Sequence, residues 1–217
     1  HLGLNKKAKE ALVPAPEVLA GALGKEEYKE MHKAISRDCI TLVKYKDRDV
    51  LPITPERYKR IMIVHVKGAE SGMGMLMKAM GMGGGKNPAE MLKERLCEKG
   101  FDAFIYESPL DAMKKQIAAG EKPNINLYFA GKNAIDDFVS GMDLVITLCD
   151  VSSGRPSFGL SKGGGEIPWY VFELPVVVIG CGQPTMLADV PQARTYINTY
   201  DAKPATFDAL VDDLMAG

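Results

Sequence analysis

The spacing of apolar residues along this chain switches repeatedly between two periods. Between Lys25 and Val43 the apolar positions recur every three or four residues, which predicts one buried face of a helix. These positions are Tyr28, Met31, Ala34, Ile35, Cys39 and Leu42. From Arg60 to Val66 the apolar run is almost unbroken, which is typical of a strand covered on both faces in a parallel sheet.

The same alternation continues to the C-terminus. Further strands are predicted at 101–106, 142–149, 175–181 and 194–200, and further helices at 87–100, 110–119, 133–140 and 206–215. Strands separated by helices over this length indicate a parallel sheet with helices on both faces. We therefore predict an α/β fold, a three-layer α/β/α sandwich with a mostly parallel, doubly wound, flavodoxin-like sheet.

The N-terminal residues differ from the rest of the chain. Pro14 and Pro16 remove backbone donors and favour extended backbone, so residues 1–24 are predicted to be a connector. Residues 25–217 are long enough to enclose one continuous core and are predicted to be a single domain. The first residue, His1, is not Met, which indicates a piece of a longer protein.

Composition and charge exclude several classes of partner. Basic and acidic residues number 27 and 28, giving a net charge of −1 and no basic surface for nucleic acid. No apolar run approaches the roughly 20 residues that span a bilayer, so no membrane partner is expected. The three histidines are not spaced as metal ligands, and neither a metal nor a cofactor is expected.

The four cysteines are isolated from one another. Cys39, Cys97, Cys149 and Cys181 form no Cys-x-x-Cys pair, and each falls within an apolar pattern. Four reduced, buried thiols are therefore predicted rather than a metal site or a disulfide framework. Reduced thiols favour the cytoplasm, although the N-terminus leaves secretion of a longer parent protein open.

A glycine- and methionine-rich loop, 72–86, follows the first predicted strand. Such a loop can present backbone N–H groups to phosphate. A dinucleotide fingerprint beginning at Gly72 would need glycine where Met77 stands, and a P-loop ending at Lys86 would need glycine where Met80 stands. Packing of the methionines on an apolar surface is the favoured interpretation, and nucleotide or phosphate binding is the alternative.

A second loop, 150–169, follows the predicted strand 142–149. Ligands of open α/β sheets bind beyond the carboxyl ends of strands, and this loop begins at such an end. It contains four candidates for the rim of a sugar site, Ser153, Arg155, Glu166 and Trp169. Trp169 could stack on a sugar ring and Arg155 could donate to hydroxyls, or Trp169 could anchor the loop to the domain or to a partner domain. No Ser-His-Asp or Cys-His set can be assembled, so no catalytic residue is assigned.

Three segments carry a resemblance to a known family. Residues 34–61 are similar to the entry into the C-terminal domain of family 3 glycoside hydrolases, with Ile-Thr-Leu-Val-Lys followed by Leu-Pro. Residues 168–179 resemble a Pro-Trp and Phe-Glu-x-Pro segment of the β-N-acetylhexosaminidase branch. Residues 184–200, with Ala-Asp-Val-Pro and Thr-Tyr-Ile-Asn, resemble the segment that precedes the last helix of that domain.

The resemblance implies a two-domain parent enzyme. Its N-terminal (β/α)8 barrel would carry the aspartate nucleophile, and it would hydrolyse terminal β-linked sugars with retention at the domain interface. This chain alone would then be inactive. In the β-glucosidase branch the C-terminal domain supplies a glutamate after a strand, but the matching turn here ends in Asp150. That departure favours the β-N-acetylhexosaminidase branch; the alternatives are a β-glucosidase domain and a free-standing flavodoxin-like module that binds nucleotide or phosphate.

Overall fold

The computed structural model describes residues 15–23, 25–46, 49–67, 80, 86–107, 115–122, 140–151 and 174–217. The helices with both ends described are α1 Pro16–Ala22, α2 Glu26–Cys39, α3 Pro88–Glu98 and α4 Pro204–Ala216. The strands are β1 Thr41–Tyr45, β2 Arg60–Lys67, β3 Asp102–Ile105, β4 Leu144–Asp150, β5 Val176–Gly180 and β6 Thr195–Asn198. A 3₁₀ helix, Pro184–Ala188, lies between β5 and β6.

The strands form a six-stranded sheet in the order β1-β6-β5-β4-β2-β3. Strands β2 to β6 are mutually parallel, and β1 pairs antiparallel with β6 at one edge. Every residue of β5 and all but the last of β4 are buried, because helices or loops cover both faces of these central strands. The parallel part has the flavodoxin-like order, which confirms the predicted α/β fold.

The two faces of the sheet carry separate apolar cores. On one face α3 and α4 pack over β2, β4 and β5, with Leu92 and Phe207 fully buried. On the other face the 3₁₀ helix contributes Met186 to a cluster that includes Val145 and Tyr196. Within the described ranges, none of the helices combines the length and the apolar character that crossing a bilayer requires.

The predicted helix 25–43 is too long at its C-terminal end. The helix ends at Cys39 because Ile40 adopts extended backbone, with ψ of 124°. Residues 41–45 instead form β1, whose Leu42 lies opposite Ile197 of β6. Leu42 fits the helical period as well as it fits a strand, and the pairing with a strand about 150 residues later decides between them.

The extended backbone predicted for residues 16–22 is wrong, because these residues form α1. The assignment of residues 1–24 as a connector stays a prediction. Pro16 is the first residue of α1, a position where the missing N–H costs nothing. Residues 1–14 and 24 lie outside the described residues, as do 110–114 and 133–139 of two predicted helices. Residues 115–118 are helical, as predicted.

Candidate functional site

The carboxyl ends of the parallel strands form one edge of the sheet. The direction in which successive strands are added to the sheet reverses between β2 and β4. Strand β3 is the neighbour of β2 on one side, and β4, the next strand along the chain, is its neighbour on the other side. A crevice at such a switch point is the usual ligand position in an open α/β sheet. Strand β2 ends at Lys67, opposite Asp150 of β4.

His65 and Asp150 meet at this switch point. The His65 side chain is 6% exposed, and its Nε2 lies 3.7 Å from Oδ2 of Asp150, which is 33% exposed. Among the described residues, the buried Nε2 atom has no hydrogen-bond partner. A separation of 3.7 Å is too long for a hydrogen bond, although it is short enough for electrostatic attraction. The His65 ring is therefore buried in the core, with its Nε2 atom near the Asp150 carboxylate.

Cys181 follows β5 at the same edge and lies near both Asp150 and Asp201. Burial raises the pKa of the Cys181 thiol to about 12; the Thr199 hydroxyl lowers it, and the charges of Asp150 and Asp201 raise it further. Burial also raises the pKa of Cys149 to about 12. At neutral pH both groups are therefore expected to be neutral thiols. All four cysteines of the chain are free, as predicted, although Cys39 and Cys97 are exposed.

Gly180 ends β5 beneath two buried polar side chains. A Cβ atom at Gly180 would lie 2.8 Å from Oδ1 of Asn198 and closer still to the Tyr196 hydroxyl. Neither of these two oxygen atoms has a hydrogen-bond partner within the part of the chain that the structure describes, and burial raises the pKa of Tyr196 above its usual range. The glycine therefore provides the space that these side chains occupy.

Asp201 organises the turn from β6 into α4. Tyr200 adopts left-handed backbone with φ of 63°, which reverses the chain. Asp201 then accepts hydrogen bonds through Oδ1 from the Lys203 backbone N–H at 3.2 Å and from the Thr206 hydroxyl. Burial raises the pKa of Asp201, but the hydrogen bonds from Thr206 and Lys203 and the Lys203 charge outweigh it and lower the pKa overall.

Asp201→Asn is expected to reduce stability by about 1 kcal/mol at pH 7, because the neutral amide loses the attraction of the Lys203 charge and the charge-assisted strength of the two hydrogen bonds. A lowered native pKa means that the stabilisation is present above the unfolded pKa of about 3.9 and is lost as pH falls through the native value. Urea denaturation at pH 7 and below pH 3 should therefore show the difference between wild type and variant shrinking in acid. A difference that stays constant with pH would contradict this role.

The sequence-predicted site residues lie outside the described residues. The segment that contains Ser153, Arg155, Glu166 and Trp169 begins after Val151, next to Asp150 at the carboxyl end of β4, and rejoins the described chain at Leu174. Loop 72–86 is described only at Met80 and Lys86. Lys86, the lysine that a P-loop would direct at phosphate, is exposed, and its Nζ lies 3.5 Å from Oε2 of Glu94 on α3.

The described residues offer limited chemistry by themselves. Among them, no group of three or more His, Cys, Asp and Glu side chains is placed to hold a metal ion. The polar groups that the edge does bring together are His65, Asp150, Thr199 and Asp201. Asp150 ends the stretch from the predicted strand 142–149, and only the register of β2 against β4 shows that His65 lies beside it.

A comparison with known proteins finds a relative that matches almost the whole of this chain. No known family profile matches the chain. A protein from Cellulomonas fimi named "Beta-N-acetylglucosaminidase/beta-glucosidase" is 27% identical over 215 residues, which is 97% of this chain and 33% of that protein. The chain thus spans about a third of the length of this relative.

Solved structures match over nearly the whole chain. A beta-glucoside phosphorylase, BglX, matches with a TM-score of 0.70 and 24% identity over 98% of this chain and 33% of that one. A family 3 β-N-acetylglucosaminidase from Paenibacillus sp. str. FPU-7 matches with a TM-score of 0.54 and 13% identity, over 89% of this chain and 31% of that one. The sequence match and the shared fold together show that the chain has an α/β fold that also occurs in a β-N-acetylglucosaminidase of glycoside hydrolase family 3.

Proposed function

We propose that this chain is the C-terminal domain of a two-domain, retaining β-N-acetylhexosaminidase that acts on terminal β-linked sugars. The aspartate nucleophile would lie in an N-terminal (β/α)8 barrel of the same polypeptide. The observation that carries the proposal is the Cellulomonas fimi relative, which matches 97% of this chain, bears a glycosidase name and has two thirds of its length outside the match. We further propose that the protein works in the cytoplasm, which four free thiols support.

The position of Asp150 supports the choice of branch. A β-glucosidase domain would supply its acid/base glutamate after the strand that corresponds to β4. Here β4 ends with Asp150, whose carboxylate is only one third exposed and lies beside His65. An aspartate side chain is one methylene shorter than a glutamate and would reach less far from the sheet edge. The general acid is therefore assigned to the barrel, as in the β-N-acetylhexosaminidase branch.

The proposed contribution of this domain is to complete the sugar pocket. The segment with Ser153, Arg155, Glu166 and Trp169 starts at the switch point, where a barrel packed on this edge would bring its own site close. Trp169 would stack on the apolar face of a sugar ring, and Arg155 would donate hydrogen bonds to its hydroxyls. These side chains would bind and orient the sugar, while the barrel carries out the bond cleavage.

The 217-residue chain alone is expected to release no nitrophenol from aryl β-N-acetylglucosaminides, whereas the full-length product of its gene should do so. The reason is that a retaining glycosidase needs two positioned carboxyl or equivalent groups, and this domain is proposed to lack both. Initial rates with aryl β-N-acetylglucosaminide and aryl β-glucoside test this. Turnover by the isolated chain at the rate of the full-length protein would overturn the assignment of catalysis to the barrel.

A β-glucoside phosphorylase is a second candidate. The TM-score of 0.70 to BglX exceeds the 0.54 to the β-N-acetylglucosaminidase, so the fold is more similar to a phosphorylase. A phosphorylase transfers the glycosyl group to phosphate instead of water. Assays of the full-length protein with and without inorganic phosphate separate the two reactions, because only a phosphorylase forms a sugar 1-phosphate.

A further inference from the structure

Helix α2 has an apolar stripe that this domain leaves uncovered. Tyr28, Met31 and Ile35 lie at helical spacing on one side of the helix and are 50%, 53% and 55% exposed. The side of α2 that carries the buried Ser36 packs toward α4, where Arg37 pairs with Asp213. At about 100° per residue, the apolar stripe lies about a quarter turn away from that packed side.

Helix α1 is uncovered as well. All of its described side chains are exposed, including Val18 and Leu19, and Leu23 directly after it is 68% exposed. A helix of seven residues is too short to be stable in water by itself, because nucleation is costly and few hydrogen bonds repay it. An apolar partner surface would supply the missing stabilisation.

We use the name N-terminal apolar surface for the exposed apolar residues of these two helices, which are Val18, Leu19, Leu23, Tyr28, Met31 and Ile35. An amphipathic helix normally directs its apolar stripe at a core, so a stripe directed at solvent indicates a missing neighbour. Four charged residues of α2 form ion pairs within the helix, Lys29 with Glu26 and Lys33 with Glu30. The surface therefore fits an apolar partner better than a charged one.

We infer that the N-terminal apolar surface is the docking face for the N-terminal barrel domain of the same polypeptide. This inference rests on the proposed function. Two thirds of the Cellulomonas fimi relative lie outside the match, and α1 and α2 are the first elements of the matched domain. A barrel that precedes α1 in the chain is held beside these helices at a high effective concentration. Burial of several aliphatic and aromatic side chains is what a permanent interdomain contact requires.

Hydrogen exchange tests this surface directly. Amide exchange of residues 26–39 would be measured by mass spectrometry in the 217-residue chain and in the full-length product of its gene. The expected result is exchange at least about tenfold slower in the full-length protein, because docking suppresses local opening of α2. The double variant Met31→Lys/Ile35→Lys should remove this protection in the full-length protein.

Ile117→Lys is the matched control. Ile117 is 60% exposed and belongs to the helical residues 115–118, which follow β3 at the far edge of the sheet from β1. It should leave the protection of 26–39 unchanged. In the 217-residue chain both the double variant and the control should melt within about 2 °C of wild type, because substitutions at exposed sites seldom alter stability. That measurement shows that any loss of protection is not unfolding.

The outcomes separate this inference from the proposed function. A full-length protein that contains a barrel but exchanges 26–39 as fast as the isolated chain would overturn the docking face alone. A gene that encodes no barrel would overturn both. Protection that appears in the 217-residue chain as its concentration rises would identify a second copy as the partner and would also overturn the inference.

Discussion

Gly180→Ala is expected to lower the free energy of unfolding by about 3 kcal/mol, because overpacking of a rigid core costs roughly 1–3 kcal/mol or more. The new Cβ would lie 2.8 Å from Oδ1 of Asn198 and nearer still to the Tyr196 hydroxyl, and both side chains are buried within the sheet. Neither can move away as a flexible surface side chain would. Urea denaturation followed by circular dichroism measures the loss.

Tyr196→Phe provides the test of mechanism. In the described part of the chain, the Tyr196 hydroxyl has no hydrogen-bond partner, so its removal alone should cost less than about 1 kcal/mol. In combination with Gly180→Ala it should restore part of the lost stability, because it removes the closest clash. Gly21→Ala is the control, since a Cβ there meets nothing within 4 Å. If Gly180→Ala is as stable as wild type, the close packing of Tyr196 over β5 is wrong.

Phe207→Ala is expected to cost about 4 kcal/mol, within the range for large-to-small changes of buried aromatic residues. Phe207 is fully buried in the core between α4 and the sheet, where it packs among residues of α3 and β2. Its loss leaves a cavity that the surrounding strands cannot fill, because β2, β4 and β5 are held in register by their hydrogen bonds. The midpoint of urea denaturation should fall accordingly.

Asp212→Ala on the same helix is the matched control for Phe207→Ala. Asp212 is exposed and pairs with Lys99 at 2.7 Å, and an exposed ion pair contributes at most about 1 kcal/mol. Equal losses for the two variants would mean that α4 is stabilised by its surface ion pairs and not by the core. The buried position of Phe207 predicts a loss several times larger.

Most of the fold was predictable because apolar periodicity is a local property of the chain. The unbroken runs at β2, β4 and β5 identify strands covered on both faces, and the spacing within α3 and α4 identifies their buried sides. The errors occurred where local patterns are ambiguous. Leu42 satisfies both periods, and Pro16 is compatible with an extended connector and with the first turn of a helix.

The sequence predicted at which edge of the sheet the candidate site lies, but not which side chains meet there. Ligands of open α/β sheets bind beyond the carboxyl ends of the strands, and the α/β order was predicted from the sequence. The predicted site residues follow one such strand end in the sequence; they are Ser153, Arg155, Glu166 and Trp169. That His65 lies 3.7 Å from Asp150 could not be predicted, because strand order and register decide which ends are adjacent. Two residues 85 positions apart carry no local signal of their contact.

The sequence by itself therefore determined the order of strands and helices, the doubly wound fold class and the resemblance to the C-terminal domain of family 3 glycoside hydrolases. These depend on short-range periodicity and on motifs, and both can be recognised within a single segment of the sequence. Only the tertiary structure decided that β1 runs antiparallel at the edge, that Gly180 makes room for Tyr196, and that the apolar stripe of α2 faces outward. Each of these depends on which distant segments pack together. Amphipathic spacing indicates that one face of a helix is to be buried, but it does not indicate which segment covers that face.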